Sequence, residues 1–129
     1  MEPTIIELAS GTDERGFSIK PFEGKQLNAV FNIHLVSLNP GTTRGNHFHP
    51  TQTEYIFVLG KQGTLVTVDC VTDKRSETVI NGEKCPRVVV PPQVAHAIKN
   101  TGSEHMYLLC YTDSPLIPER DVIKKVILK

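Results

Sequence analysis

The sequence predicts an all-β sandwich or barrel, and three observations carry that prediction. Apolar and polar residues alternate over short runs along most of the chain. The breaks between runs are rich in Gly, Pro, Asn and Asp, and helical periodicity is weak. A chain of 129 residues is long enough for one domain with a real core and short for two, so a single domain over 1–129 is expected.

The runs follow in order. Phe31, Ile33 and Leu35 alternate with Asn32, His34 and Val36 until "NPG" at 39–41 stops the strand. Glu54, Ile56 and Val58 alternate with Tyr55, Phe57 and Leu59 before Gly60. The β-branched run "TLVTVDCV" at 64–71 is followed by the polar turn "TDKRSE", and "RVVVPP", "AHAIKN" and "MYLLCYT" complete about eight strands. At the C-terminus, Val122, Ile123, Val126 and Ile127 fit one face of a helix and equally an edge strand.

Composition sets the outer bounds. Fourteen basic and fourteen acidic residues cancel, which argues against nonspecific nucleic-acid binding. No apolar run reaches membrane-spanning length and "MEPTIIELAS" carries no signal pattern, so a cytoplasmic protein without membrane partners is expected. Cys70, Cys85 and Cys110 are widely spaced and read as free thiols.

The chemistry gathers in "RGNHFHPTQTE", residues 44–54. Strand residues two apart share a face, so His47 and His49 project together. Glu54 lies at the wrong parity for an uninterrupted strand, and Pro50 with "TQT" supplies the bend that resets it. His96, in "PPQVAHAIKN", is the fourth candidate. Three imidazoles and a carboxylate suit a divalent transition metal such as Zn, Fe, Mn, Ni or Cu. Lone strand histidines such as His34 and His105 are ordinarily hydrogen-bonded residues.

These two segments resemble the two motifs of the cupin superfamily. The first runs from Gly41 through His47, His49 and Glu54 to a glycine; the second joins Pro91, His96 and Asn100, with Gln93 where a glycine is usual. The resemblance implies a double-stranded β-helix (cupin or jelly-roll) barrel with His47, His49, Glu54 and His96 as metal ligands. "DERGFSI" and "RGNH" are similar to the dTDP-4-dehydrorhamnose 3,5-epimerase group. There the histidine is the base and the arginine holds the nucleotide diphosphate, which would be His47 and Arg44. Those epimerases lack the metal set that this chain carries. "RGNHFHPTQTE", "AHAIKNTGSEHMYLL" and "SPLIPERD" are similar to the C-terminal cupin domain of bifunctional capsular polysaccharide biosynthesis enzymes. That domain is a metal-binding epimerase of keto-sugar nucleotides, and without its reductase half this chain would need a partner enzyme.

A metal-bound imidazole is not a free base at its coordinating nitrogen. If His47 is a ligand, the base is His34, Tyr55, Tyr111 or a Glu54 released from the metal. Arg44, Arg15, Arg87 and Lys99 are candidates for the diphosphate, with solvated surface cations as the alternative. Ile56, Val58 and Ile98 share inward parity with Glu54 and His96, giving an apolar wall. The same ligands would serve an iron-dependent dioxygenase, and a cupin that binds a small molecule without turnover is the third reading. A homodimer joined through "TIIEL" or "VIKKVILK" as edge strands is expected.

Overall fold

The structure, a computed structural model, describes residues 2–129. In chain order the strands are β1 (Thr4–Glu7), β2 (Gly11–Asp13), β3 (Gly16–Ser18), β4 (Phe31–Leu38), β5 (Thr43–Phe48) and β6 (Glu54–Leu59). There follow β7 (Gln62–Asp69), β8 (Arg75–Asn81), β9 (Pro86–Val90), β10 (Val94–Asn100), β11 (Met106–Thr112) and β12 (Ile123–Lys124). One helical turn, α1 (Pro118–Asp121), precedes β12, so the C-terminus is a turn of helix followed by a two-residue edge strand.

Ten strands form two five-stranded antiparallel sheets, ordered β1-β9-β6-β11-β4 and β12-β5-β10-β7-β8, while β2 and β3 make a separate hairpin. This is the jelly-roll barrel that the sequence predicts. The interior core joins Leu38, Ile56, Val58, Leu65, Val88, Val90, Ile98, Met106 and Leu108. A second apolar cluster uses the opposite parity of β6 and β11: Phe57 and Tyr111 pack with Phe22 and Cys85. The barrel therefore carries a covered outer face as well as a filled interior.

Two placements depart from simple alternation. Phe31, Ile33 and Leu35, the apolar parity of β4, point outward, and the last two are more than 60% exposed at 62% and 66%. The inward parity carries Asn32, His34 and Val36. In β5, two residues face one partner: His47 pairs with His96 and Gly45 with Ala97, leaving Asn46 as the inserted residue of a bulge. Gly45 has φ +98, and a Cβ there would lie 2.6 Å from the His96 carbonyl oxygen. Glycine is what lets β5 and β10 approach closely enough to align the two histidines.

Asn46 uses its bulged position to hold the end of the chain. Its amide nitrogen donates to the Leu128 carbonyl at 2.8 Å, and its amide oxygen accepts from the Ile127 and Leu128 N–H groups at 2.9 and 3.0 Å. Lys99 donates to the Lys129 carbonyl and Arg75 to that of Ile127.

Candidate functional site

The four candidate ligands arrive from three strands and one connection. His47 stands near the end of β5 and His96 opposite it on β10. His49 follows β5, and Glu54 opens β6 in the other sheet. The parity problem between His49 and Glu54 is thus solved by a crossing between sheets, with residues 49–53 outside any strand. The turn before β10 keeps the conformation a glycine would supply, because Gln93 adopts φ +66 and its amide donates to the Pro50 carbonyl at 3.1 Å.

Among the described residues, one donor atom each from His47, His49, Glu54 and His96 lies within 4.8 Å of the others. That is near the separation of about 3–4 Å between ligands on a metal with bonds of about 2.1 Å. Three of the four are buried, His49, Glu54 and His96 being no more than 7% exposed. His49 Nδ1 lies 2.8 Å from the Asp121 carbonyl oxygen, which can only accept, so Nδ1 carries the proton. In a neutral ring Nε2 is then a lone pair, and it faces Glu54 Oε2 at 2.7 Å. Two acceptors at that distance require a cation or an extra proton between them. His96 Nε2 lies 3.3 Å from Glu54 Oε1, and its buried Nδ1 has no partner among the described residues. The donor set and its unmet electrostatics fit a divalent metal.

Without a metal, the groups perturb one another. Burial opposes ionisation of Glu54, but attraction to His96 and the hydrogen bonds from His49 and His96 outweigh it and hold the carboxyl well below its usual range. Burial also opposes protonation of His49, yet the Glu54 contact raises its pKa. Burial and the neighbouring His96 push His47 down to about 4. Asp121, whose carbonyl orients His49, has its own carboxyl lowered to about 2 by Arg120 and by the Ile117 N–H.

The cluster forms one wall of a cavity of about 260 Å3. Val36, Ile56, Ile98, Leu108 and Val122 give it an apolar wall, and Asn32, His34, Arg44 and Thr112 supply polar groups. Val58 belongs to the core cluster and is not among the cavity residues, because the barrel is already closed at that level.

The remaining candidates are sorted by the fold. His34 lines the cavity, and its Nδ1 lies 2.7 Å from the Asn32 carbonyl oxygen, so Nδ1 is the protonated nitrogen and Nε2 the one free to accept. Tyr55 and Tyr111 do not line it: they stack on each other at 4.7 Å on the opposite parity, where the Tyr111 hydroxyl donates to the Gln26 carbonyl. Burial and the neighbouring Tyr55 push Tyr111 up to about 12. Of the four cations, only Arg44 lines the cavity, its Nε bonded to the Ser37 carbonyl at 2.8 Å. Arg15 pairs with Asp13 on the hairpin, Arg87 reaches the Pro21 carbonyl, and Lys99 ties down the chain end. Sequence reasoning did not find Asn32, Thr112 and Asp121 as part of the site. Their signal is weak, since each acts through a backbone carbonyl or a hydroxyl that no motif marks.

The barrel and its clustered motif residues define a chain with the jelly-roll fold and a candidate metal-suited site. The chain belongs to the polysaccharide biosynthesis C-terminal domain family, which it matches over residues 11–122. It is 31% identical over 110 residues to the UDP-2-acetamido-2,6-beta-L-arabino-hexul-4-ose reductase of Pseudomonas aeruginosa, covering 85% of this chain and 25% of that protein. The chain thus spans a quarter of the length of that relative. In fold it is similar to the dTDP-6-deoxy-D-glucose-3,5-epimerase RmlC of Legionella pneumophila, solved with dTDP-4-keto-L-rhamnose. The TM-score is 0.78 at 22% identity, over 92% of this chain and 70% of that one. The capsular polysaccharide assembling protein CapF of Staphylococcus aureus is similar with a TM-score of 0.69 at 23% identity, over 93% of this chain and 33% of that one. No helix among the described residues is long and apolar enough to cross a membrane.

Proposed function

We propose that this chain binds a divalent transition metal, Zn, Fe, Mn or Ni, through His47, His49, Glu54 and His96. We further propose that it epimerises a nucleotide-linked keto sugar at the carbon beside the ketone. The observation that carries the reading is the presence, in one cavity, of a metal-suited cluster and a separate imidazole with a free nitrogen, His34. This supports a reading in which ligand and base are different groups, His47 serving as the one and His34 as the other. When bound, the metal supplies Lewis-acid polarisation of the substrate carbonyl.

The chain's own residues do the rest. His34 Nε2 takes the proton from the carbon beside the ketone, and the C–H electron pair moves into the enolate oxygen. Inversion is complete when a solvent-derived proton returns to the opposite face. Arg44, with Nε committed to Ser37, keeps its terminal nitrogens for diphosphate oxygens. The apolar wall of Val36, Ile56, Ile98, Leu108 and Val122 suits a deoxysugar and excludes water from the reacting carbon. The relative named as a reductase supports a further reading, that a reductase consumes the product. The chain would pair with a second copy along an exposed edge: β1 carries Ile5 and Ile6, and β4 carries Ile33 and Leu35.

The test is solvent-deuterium incorporation into a panel of keto-sugar nucleotides, with metal content measured on protein purified without a histidine tag. Incorporation that is lost in His34→Asn and on metal removal is expected. Stoichiometric metal with no incorporation across the panel leaves a binding protein and refutes the epimerase.

A further inference from the structure

Strand β4 does something unusual just before His34. Between β4 and β11 the partners run Cys110 with His34 and then Thr112 with Phe31, so two steps on β11 match three on β4. The extra residue falls in the Asn32–Ile33 stretch, and Asn32 has φ +53. Left-handed backbone is the usual signature of a bulge of this kind, and asparagine is one of the few side chains that tolerates it.

The bulge has a direct consequence for the imidazole two residues on. It places the Asn32 carbonyl oxygen 2.7 Å from His34 Nδ1. A carbonyl has no proton to give, so the contact exists only when Nδ1 bears one. The bulge is itself anchored. The Asn32 amide nitrogen donates to Thr112 Oγ1 at 3.0 Å, and that hydroxyl donates onward to the Ser114 carbonyl at 2.9 Å. Thr112 is 2% exposed, so its hydroxyl has no ready water to substitute for these partners. The Asn32 side-chain nitrogen can only donate, so the hydroxyl accepts from it and keeps its own proton for the Ser114 carbonyl, with that of Phe31 farther off at 3.3 Å.

We infer that Asn32, locked by Thr112, is a positioning residue that holds His34 in the tautomer whose Nε2 is free to take the substrate proton. The inference rests on the proposed role of His34, but it makes a claim about the resting protein that needs no substrate. If Thr112 loses its hydroxyl, the Asn32 amide loses its anchor, the carbonyl is no longer held against Nδ1, and the ring is released to the alternative tautomer.

The experiment has two arms. In the first, the His34 tautomer is read by nitrogen-15 NMR of uniformly labelled protein, in wild type, Thr112→Val, Thr112→Ser, Asn32→Gly and Asn32→Ala. The loss of one hydrogen bond should shift the tautomer ratio toward Nε2–H by roughly two- to tenfold in Thr112→Val. Thr112→Ser restores the wild-type ratio. Asn32→Gly keeps the left-handed backbone without the amide and should resemble Thr112→Val, so the inference remains testable if Asn32→Ala does not fold. A folded Thr112→Val with the wild-type ratio overturns the inference. In the second arm, deuterium exchange into keto-sugar nucleotides should show kcat reduced in step with the tautomer shift and KM unchanged. A shifted tautomer together with no exchange in wild type removes His34 as the base and leaves the positioning intact.

Discussion

The bulge at Gly45 makes a quantitative claim that a second glycine can calibrate. Gly41 has φ +80, and a Cβ there would meet nothing within 4 Å. Gly41→Ala therefore carries only the cost of a left-handed L-residue, about 1–2 kcal/mol. Gly45 carries the same kind of cost at φ +98. It adds a Cβ 2.6 Å from the His96 carbonyl oxygen and 3.1 Å from Ala97 Cα, both backbone atoms that no side-chain rotation can move. Forced overpacking of this kind typically costs about 1–3 kcal/mol, so Gly45→Ala should lose about 2–5 kcal/mol in all. At roughly 3–4 °C per kcal/mol for a domain of this size, the Tm of Gly45→Ala should fall several degrees below that of Gly41→Ala. Urea unfolding of both variants against wild type measures the difference directly. Relief of the contact must separate β5 from β10 where His47 faces His96, so metal content should fall in Gly45→Ala and stay at the wild-type level in Gly41→Ala. Equal stability and equal metal content in the two variants would refute the claim that close strand approach at Gly45 aligns the ligands.

Other outcomes follow from the same geometry. In metal-free protein, the raised pKa of His49 means that its pairing with Glu54 is fully stabilising below the ordinary imidazole value of about 6.5 and is lost as pH rises through the higher folded value. Glu54→Gln should abolish that decline in a Tm series on the alkaline side, and an unchanged decline assigns it to another group. His47 works in the opposite direction: lowered to about 4, it makes metal-free protein lose stability as pH falls from about 6.5 toward that value. Asn46→Gly keeps the left-handed backbone at φ +57 but removes three hydrogen bonds to Ile127 and Leu128, about 2–3 kcal/mol, and should speed amide exchange at those two residues while core strands stay protected. Tyr111→Phe removes the bond to Gln26 and should cost about 1 kcal/mol in urea unfolding, with deuterium exchange into substrate unchanged. Under the proposed pairing through β4, sedimentation should find wild type dimeric and Leu35→Arg monomeric; a wild-type monomer refutes the pairing, and a Leu35→Arg dimer moves the interface away from β4.

The convergence of His47, His49, Glu54 and His96 was legible in the sequence because it obeys strand arithmetic. His47 and His49 are two apart, Glu54 follows a Pro-containing break, and His96 sits between alanines in an alternating run. The barrel was legible for the same reason, since alternation and turn residues report burial on one face. What stayed hidden breaks that periodicity. In β4 the larger apolar side chains point outward, so the parity that looks like core is the exposed one. The bulge in β5 brings Arg44 and His47, three residues apart, to one cavity, and composition contains no trace of it. Lys99 and Arg87 looked like phosphate ligands because charge alone does not tell which face a strand residue takes. The stacked tyrosines looked like candidate bases for the same reason, and a second apolar layer holds them on the far side of the sheet.

All four donor residues precede position 97, yet the ring at one of them takes its orientation from the carbonyl of Asp121. A polypeptide stopped at the end of β11 would contain every donor and still leave His49 without the group that dictates which nitrogen is free. The closing segment lines the cavity with Val122 and pairs Ile123 with Phe48 and Lys124 with His47, so a stretch far from the donors in sequence completes the wall around them.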